Sequence, residues 1–393
     1  MKIMSINAGS SSLKFSLFDM DQKSVLTSGN FERIGIEGSF YTIKYNEFKI
    51  KEEAELKDHA DAVKILLEKL IDLEIIKDLD EIDGVGHRIV QGGSLYSKSV
   101  IVTDKVIDDI IKLADLAPLH NAAHALGINA FKEALPKVPM VVVFDTSFHQ
   151  TMEEDRYLYP LPYEWYEKHK VRKYGFHGTS HKYISLKVAE ELKRNDLRII
   201  SCHLGSGGSV SAIKDGKCIN TSMGFTPLAG IMMGTRSGDI DPSIIPYVME
   251  KEGKSAGEII NDLNKKSGLL GVSGISGDDR DVEDGIKEGN ERCILARKMY
   301  VNTVVKYISE YYVEMSGCDV LVFTAGMGEN SISLRSDIIE RLSCLGIKID
   351  LEKNNVRGEL RLISTPDSSV KVYIIPTNEE LMIAEETKDL ITR

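Results

Sequence analysis

The feature that most constrains this chain is a strand-turn-strand unit that occurs twice. Ile3-Met4-Ser5-Ile6 runs into Asn7-Ala8-Gly9-Ser10-Ser11-Ser12-Leu13-Lys14 and then Phe15-Ser16-Leu17-Phe18. Half a chain later, Ile199-Ile200-Ser201-Cys202 runs into His203-Leu204-Gly205-Ser206-Gly207-Gly208-Ser209 and then Val210-Ser211-Ala212-Ile213. Asn7 and His203 hold the same place after the strand, which predicts a duplicated domain. Gly and Ser at the tip let the backbone turn tightly and aim several N–H groups and hydroxyls at one point, an arrangement suited to a phosphate. One such tip is an ordinary polar β-turn. Two at matching places point to function.

Two phosphate hairpins, one per domain, resemble the actin, sugar-kinase and heat-shock-chaperone superfamily. That resemblance implies an α/β fold of duplicated ribonuclease-H-like (actin-like ATPase) domains with a nucleotide cleft between them. A chain of 393 residues with 42% apolar composition suits two cores. The net charge of −11 argues against a nucleic-acid or membrane-surface role, because both call for a basic face. An anionic substrate must then be drawn by local Arg, Lys and His. The five cysteines are scattered, odd in number and without a Cys-x-x-Cys pair, so the reading is reduced cytosol with neither disulfide framework nor zinc knuckle. No signal-like opening or bilayer-length apolar run is present, and a soluble cytoplasmic protein is expected.

Along the chain, residues 40–51 alternate like a strand, and Ala62, Val63, Leu66, Leu67 and Leu70 recur at helical spacing. Val85 to Val90 reads as a strand ending at Gln91-Gly92-Gly93, which leaves His87 and Arg88 near a turn. Thr103 is the expected cap of the next helix. Val138 to Phe144 is an apolar run fit for a strand covered on both faces, and Asp145 follows it at once. Polar residues just past strand ends are where open α/β sheets bind ligands. A boundary is expected near the Pro- and Tyr-rich stretch 157–166. Tyr174 to Gly178 leads into a helix whose expected cap is Thr179 or Ser180. The glycine-rich stretch Met223 to Pro242 has no period and reads as an ordered functional loop. A long helix is expected over 291–316, and a strand at 319–323 delivers a third glycine turn, Thr324 to Ser331. A strand at 372–375 precedes a closing helix from Thr377 with a Thr377–Glu380 capping box.

No P-loop or Gly-x-Gly-x-x-Gly fingerprint is found. His177 and His181, like His120 and His124, stand at i,i+4 spacing, where a metal pair is conceivable and a capping or packing role is commoner. Arg88 and Arg236 flank glycine turns, and a lone Arg of this kind is usually solvated. With Asp145 they resemble an anion clamp. Glu379 opens a helix, where an acid is favoured by the dipole alone. By composition, Asp278-Asp279-Arg280 is a solvated loop.

Together, Asn7 to Lys14, Tyr174 to His181, Gly234 to Asp239 and Pro376-Thr377-Asn378-Glu379-Glu380 resemble the signatures of the acetate kinase family, in the family's order. The resemblance implies Mg²⁺-dependent transfer of the ATP γ-phosphoryl group to acetate, giving acetyl phosphate and ADP, with Mn²⁺ as a substitute metal and a homodimer as the assembly. It implies Asn7 and Glu379 on the metal, and Lys14 on the nucleotide phosphates. Arg88 would bind the carboxylate or the moving phosphoryl group, in an apolar pocket of Val90, Leu119, Phe176 and Pro227. His177 and Arg236 would stabilise the transition state, and Asp145 is the family's catalytic acid. ATP would lie against His203, Leu204, Gly205, Ser206 and Gly207, against Asp278, Asp279 and Arg280, and against Gly326, Met327, Gly328, Glu329 and Asn330.

Three positions depart from the family pattern. Gln91 stands where many members have His, Ser206 where Asn is common, and Asp279 where an apolar residue is usual. The first two keep a hydrogen-bonding side chain, and Asp279 is expected to loosen base selection. The expected domains are 1–150 with the closing helix 380–393, on the acyl side, and 151–379, on the nucleotide side. Propionate and butyrate kinases share the fold. A non-enzymatic actin-like ATPase would keep the hairpins without the Arg88 pocket, and a zinc hydrolase would use His177 and His181.

Overall fold

The computed structural model describes residues 1–117 and 120–393. By contacts the chain divides into two units, Met1–Phe148 with Asn378–Arg393, and His149–Thr377.

In the first unit, β1 (Lys2–Gly9) and β2 (Ser12–Asp19) pair antiparallel from Lys2↔Asp19 to Gly9↔Ser12, leaving Ser10-Ser11 as the whole turn. The meander continues through β3 (Ser24–Glu32), β4 (Phe40–Tyr45) and β5 (Phe48–Glu53). Residues 40–51 are thus two strands, because Asn46 at φ 49 turns the chain in a left-handed conformation that Asn tolerates. On the other side of β1, β6 (Gly84–Ile89) runs parallel to it, β7 (Val100–Ile101) is short, and β8 (Met140–Phe144) runs parallel to β6. The sheet order is β5-β4-β3-β2-β1-β6-β8-β7.

One face of this sheet buries Met4, Ile6, Leu13, Phe15 and Phe31 against Leu66, Leu70 and Phe131, which come from helices His59–Asp72 and Asn121–Ala134. The other face takes the closing helix Glu379–Ile391, whose Ile383 packs on Val141 and Val143. Gly86 permits that approach, since a Cβ there would lie 2.3 Å from Thr387 Oγ1. Covered on both faces, β8 is fully buried, as its unbroken apolar run predicts.

The second unit repeats the plan. β9 (Arg198–Leu204), β10 (Gly208–Lys214) and β11 (Lys217–Thr221) form the meander, and β12 (Val320–Thr324) runs parallel to β9. β13 (Arg361–Leu362) is the edge, and β14 (Lys371–Ile374) runs parallel to β12. The order β11-β10-β9-β12-β14-β13 matches β3-β2-β1-β6-β8-β7 strand for strand. In each sheet a hairpin meander is followed by two more strands parallel to its first, and an antiparallel strand closes the edge. The duplication read from two short motifs is therefore a duplication of topology.

The long helix Glu291–Glu314 buries Tyr300, Val304, Ile308 and Tyr311 along one stripe, and the chain leaves it through Ser316 (φ 56) and Gly317 (φ 115). Two caps differ from expectation. His177, at φ 58, precedes the helix Gly178–Leu192, so Thr179 and Ser180 lie inside its first turn. The closing helix is capped by Asn378, whose Oδ1 accepts from Leu381 N at 3.0 Å, whereas Thr377 Oγ1 bonds Ser180 Oγ at 2.8 Å. Among the described residues, no helix is long and apolar enough to cross a membrane.

Candidate active site

In the first unit the site residues gather at the carboxyl ends of β1, β6 and β8. Ile6 is level with His87, and Arg88 with Val143, so Asn7, Arg88 and Asp145 all come at or just past that edge. Asp145 N donates to Ile89 O at 2.9 Å, which locks the residue after β8 against β6. Arg88 Nε lies 3.1 Å from each Asp145 oxygen, and its NH2 donates to Oδ2 at 2.6 Å. Asp145 is buried and Arg88 partly exposed. Burial acts to lower the Arg88 pKa, but the charge and hydrogen bonds of Asp145, with the field of Glu379, outweigh it, and the net shift is upward. This guanidinium is a fixed cation.

Around the pair the polar groups are closely tied. Gln91 and Asn121 exchange backbone and amide bonds at 2.9 and 3.3 Å, and Gly93 N donates to Gln91 Oε1 at 2.9 Å. Val90 N donates to His124 Nε2 at 3.3 Å. His87 and His124 are buried, and desolvation pulls both pKa values down to about 3. Both are neutral at working pH. Of the expected acyl pocket, Val90 is buried here, Phe176 and Pro227 belong to the second unit, and Leu119 lies outside the described residues.

Asn7 and Glu379 also belong to the first unit. They offer only oxygen donors, the set a hard cation such as Mg²⁺ prefers. The described residues contain no cluster of three or more His, Cys, Asp and Glu, so a cation held by this pair would fill its shell with water and phosphate oxygens. The residues fit the ion. Lys14 pairs with Glu380, whose other oxygen accepts from Ser16 Oγ at 2.6 Å.

In the second unit, β9 and β10 meet at the tip Gly205-Ser206-Gly207, closed by Gly205 N donating to Gly207 O at 3.1 Å. A side chain on Gly205 would come 4.0 Å from Gly326 N, so this tip faces the start of the helix Ala325–Asn330. A pocket of about 590 Å³ opens beside them. Of the expected nucleotide residues, Gly205, Ser206, Asp278, Asp279, Arg280, Gly326, Met327 and Asn330 line it.

Besides Lys14, five of the expected nucleotide residues do not line it and have protein partners of their own. Leu204 is core. His203 stacks on His177 at 4.1 Å, and its Nδ1 bonds Ser180 Oγ at 2.8 Å. Gly207 packs on Arg236, with a Cβ there 3.3 Å from NH1. Gly328 packs on Phe323, and Glu329 Oε1 accepts from Ala325 N at 2.7 Å and from Thr377 N at 3.0 Å. Thr235, Gly277, Glu283, Ser331 and Arg357 line the pocket without having been singled out from sequence. Thr235 beside Arg236 and Ser331 at the end of the third glycine turn lie in readable motifs; Arg357 sits in a stretch with none.

His177 Nδ1 bonds Ser209 Oγ at 2.9 Å, and the same hydroxyl bonds His181 Nε2 at 2.8 Å, while His181 Nδ1 reaches Ser201 Oγ at 2.9 Å. Serine hydroxyls therefore take both nitrogens of His181, which is buried with its pKa held well below normal by desolvation first, then by His149 and His203. That occupancy argues against a zinc pair at His177 and His181. Arg236 projects from the glycine-rich loop, its NH1 donating to Pro227 O at 3.2 Å. No carboxylate pairs with it among the described residues, and burial alone depresses its pKa. A half-buried cation without such a partner, packed against a glycine tip, is suited to meeting an anion.

Comparison with known proteins gives the same direction. The model of the Acetokinase family matches residues 2–385. The chain is 58% identical over 387 residues to the acetate kinase of Bacillus subtilis (strain 168), covering 98% of each. It superposes on the crystal structure of Porphyromonas gingivalis acetate kinase with a TM-score of 0.96 and 45% identity, covering 100% of both chains. A propionate kinase from Francisella tularensis subsp. tularensis SCHU S4 gives a TM-score of 0.93 and 42% identity over 99% of both chains. This α/β two-domain fold is consistent with that of the actin-like ATPases.

Proposed function

The chain belongs to the acetokinase family and is a phosphotransferase with acetate kinase function, and we propose how its own residues carry the reaction between ATP and acetate. Arg88 holds the acetate carboxylate and the incoming phosphoryl group. Asp145 fixes the guanidinium by its two-pronged pair. Acetate is already ionised at neutral pH, so no proton has to be removed and Asp145 acts by orientation. Arg236 and His177 face the charge that spreads over the phosphoryl oxygens in a loose transition state. The Gly205-Ser206 tip and the turn at Gly326 cradle the nucleotide.

Mg²⁺, held by Asn7 and Glu379, supplies neutralisation of phosphate charge when bound. Lys14 reaches the phosphates by releasing Glu380. The assembly is a homodimer in the cytoplasm. Ile244, Tyr247 and Ile260 stand 43%, 63% and 39% exposed and offer an apolar contact surface.

The observation that carries this reading is the half-buried guanidinium of Arg236 against the hairpin tip, paired with no carboxylate among the described residues. Phosphorus NMR of ATP, Mg²⁺ and acetate with the protein tests it. Acetyl phosphate and ADP are expected. Release of inorganic phosphate alone, at a rate indifferent to acetate, would instead mark an actin-like ATPase. The likeness to a propionate kinase makes propionate the second acceptor to try.

A further inference from the structure

Arg297, on the helix Glu291–Glu314, is buried with Asp279; their side chains are 6% and 5% exposed. Its NH2 donates to Asp279 Oδ1 at 2.7 Å, and its NH1 to Ser333 Oγ at 3.1 Å and Asp337 Oδ2 at 3.4 Å. Ser333 Oγ donates in turn to Glu283 Oε1 at 3.0 Å. Asp279 and Glu283 are one turn apart on the helix Asp279–Lys287. The bonds therefore close a ring, Asp279–Arg297–Ser333–Glu283, across three helices.

Stability does not account for that ring. A buried ion pair costs desolvation, and an apolar pair of similar volume is often as stable or more so. Arg297 Nε, moreover, is buried without a partner. The ring's position accounts for it better, because Asp279 and Glu283 both line the 590 Å³ pocket. With the phosphates at the Ser206 tip, as in the proposed function, Gly277 lies beside them, since Gly234 N donates to Ser206 O at 3.0 Å and Gly277 packs on Gly234. Glu283 lies a helical turn beyond Asp279, about 6 Å farther from Gly277. A nucleotide whose phosphates lie at the Ser206 tip would extend its base towards that side of the pocket.

We propose that Glu283 selects the nucleobase, its carboxylate accepting a hydrogen bond from the exocyclic amino group of adenine, and that Arg297 is the positioning residue that fixes this carboxylate through Ser333 and Asp279. This rests on the pocket being the nucleotide site, and it reverses the expectation that Asp279 loosens base selection. Hypoxanthine carries a carbonyl oxygen where adenine carries that amino group, and it would be repelled.

Calorimetric titration with ADP and with inosine diphosphate tests the idea. The wild type is expected to prefer ADP by about tenfold, the worth of a hydrogen bond to a charged acceptor. Glu283→Ala should bring the ratio towards unity. The double variant Asp279→Leu/Arg297→Leu should melt no lower than the wild type and lose the preference likewise. Arg297→Lys, which keeps the charge but cannot span Asp279 and Ser333 together, gives the same reading should the double variant fail to fold. An unchanged ratio in Glu283→Ala overturns the proposal. A ratio lost there but kept in both Arg297 variants overturns the positioning role. Ser206→Trp separates the premise: retained ADP affinity would sink the nucleotide reading itself, whereas lost affinity with unchanged ratios elsewhere would sink only the ring.

Discussion

Arg88 and Asp145 meet by two prongs at the carboxyl ends of two adjacent parallel strands, with Asp145 buried and Arg88 reaching outward. The carboxylate is already spent on the guanidinium. Asp145→Asn keeps the shape but removes the charge, so it should lower kcat by about a hundredfold or more through a misaimed Arg88. In the proposed mechanism Asp145 moves no proton, so the pH–rate profile of kcat should show no limb that disappears in the variant. Steady-state kinetics from pH 5 to 9 would check both, and a lost acid limb would restore Asp145 as a proton carrier.

Among the described residues no carboxylate pairs with Arg236, and its proposed role is to meet the charge of the ligand. Arg236→Ala should reduce kcat by about 10²–10³-fold with a much smaller rise in the acetate KM, as expected of a group acting mainly on the transition state. Arg236→Lys should recover part of the loss, lacking the planar fork. A near-normal kcat in the alanine variant would remove Arg236 from the reaction.

Glu329 satisfies two backbone N–H groups, at Ala325 and Thr377. Glu329→Ala leaves both without that acceptor and should cost about 1–3 kcal/mol of stability. Chemical denaturation measures this directly. A variant of unchanged stability but weakened ADP binding would instead support the nucleotide role that the family resemblance implies for Glu329.

His87 and His124 are neutral in the fold at pKa values of about 3, depressed chiefly by burial. The unfolded chain takes up protons first as pH falls below about 6.5, so the stability they confer is complete above that pH and lost on acidification. Each contributes a slope approaching about 1.4 kcal/mol per pH unit between the two values. His87→Leu should flatten the fall between pH 6 and pH 4. An unchanged slope would mean that His87 is not desolvated as described.

The sequence was most informative where function sits on a regular element. The hairpin tips, the strand that delivers Arg88 and the apolar run before Asp145 could all be read because strand periodicity and small-residue turns are local signals. The closing helix was legible, but its cap was not: Thr377 is drawn off by Ser180, a residue in a distant part of the chain, and Asn378 takes its place. Asp279 shows the same limit more sharply. Its neighbours suggest a solvated loop, yet Arg297, on the next helix, buries it as an ion pair. Glu283 and Arg357 reach the pocket only through the packing of helices and loops, which no local motif encodes.

The central proposal is that the acceptor is a small carboxylate held by Arg88, beside an apolar wall that includes Val90. The most direct measurement is kcat/KM for acetate, propionate and butyrate with saturating ATP and Mg²⁺, by hydroxamate trapping of the acyl phosphate. Each methylene that the wall does not accommodate should cost about 1–3 kcal/mol. Acetate is predicted to stand first, propionate roughly tenfold or more below it and butyrate lower still. Butyrate in first place, or equal values for all three, would contradict the account.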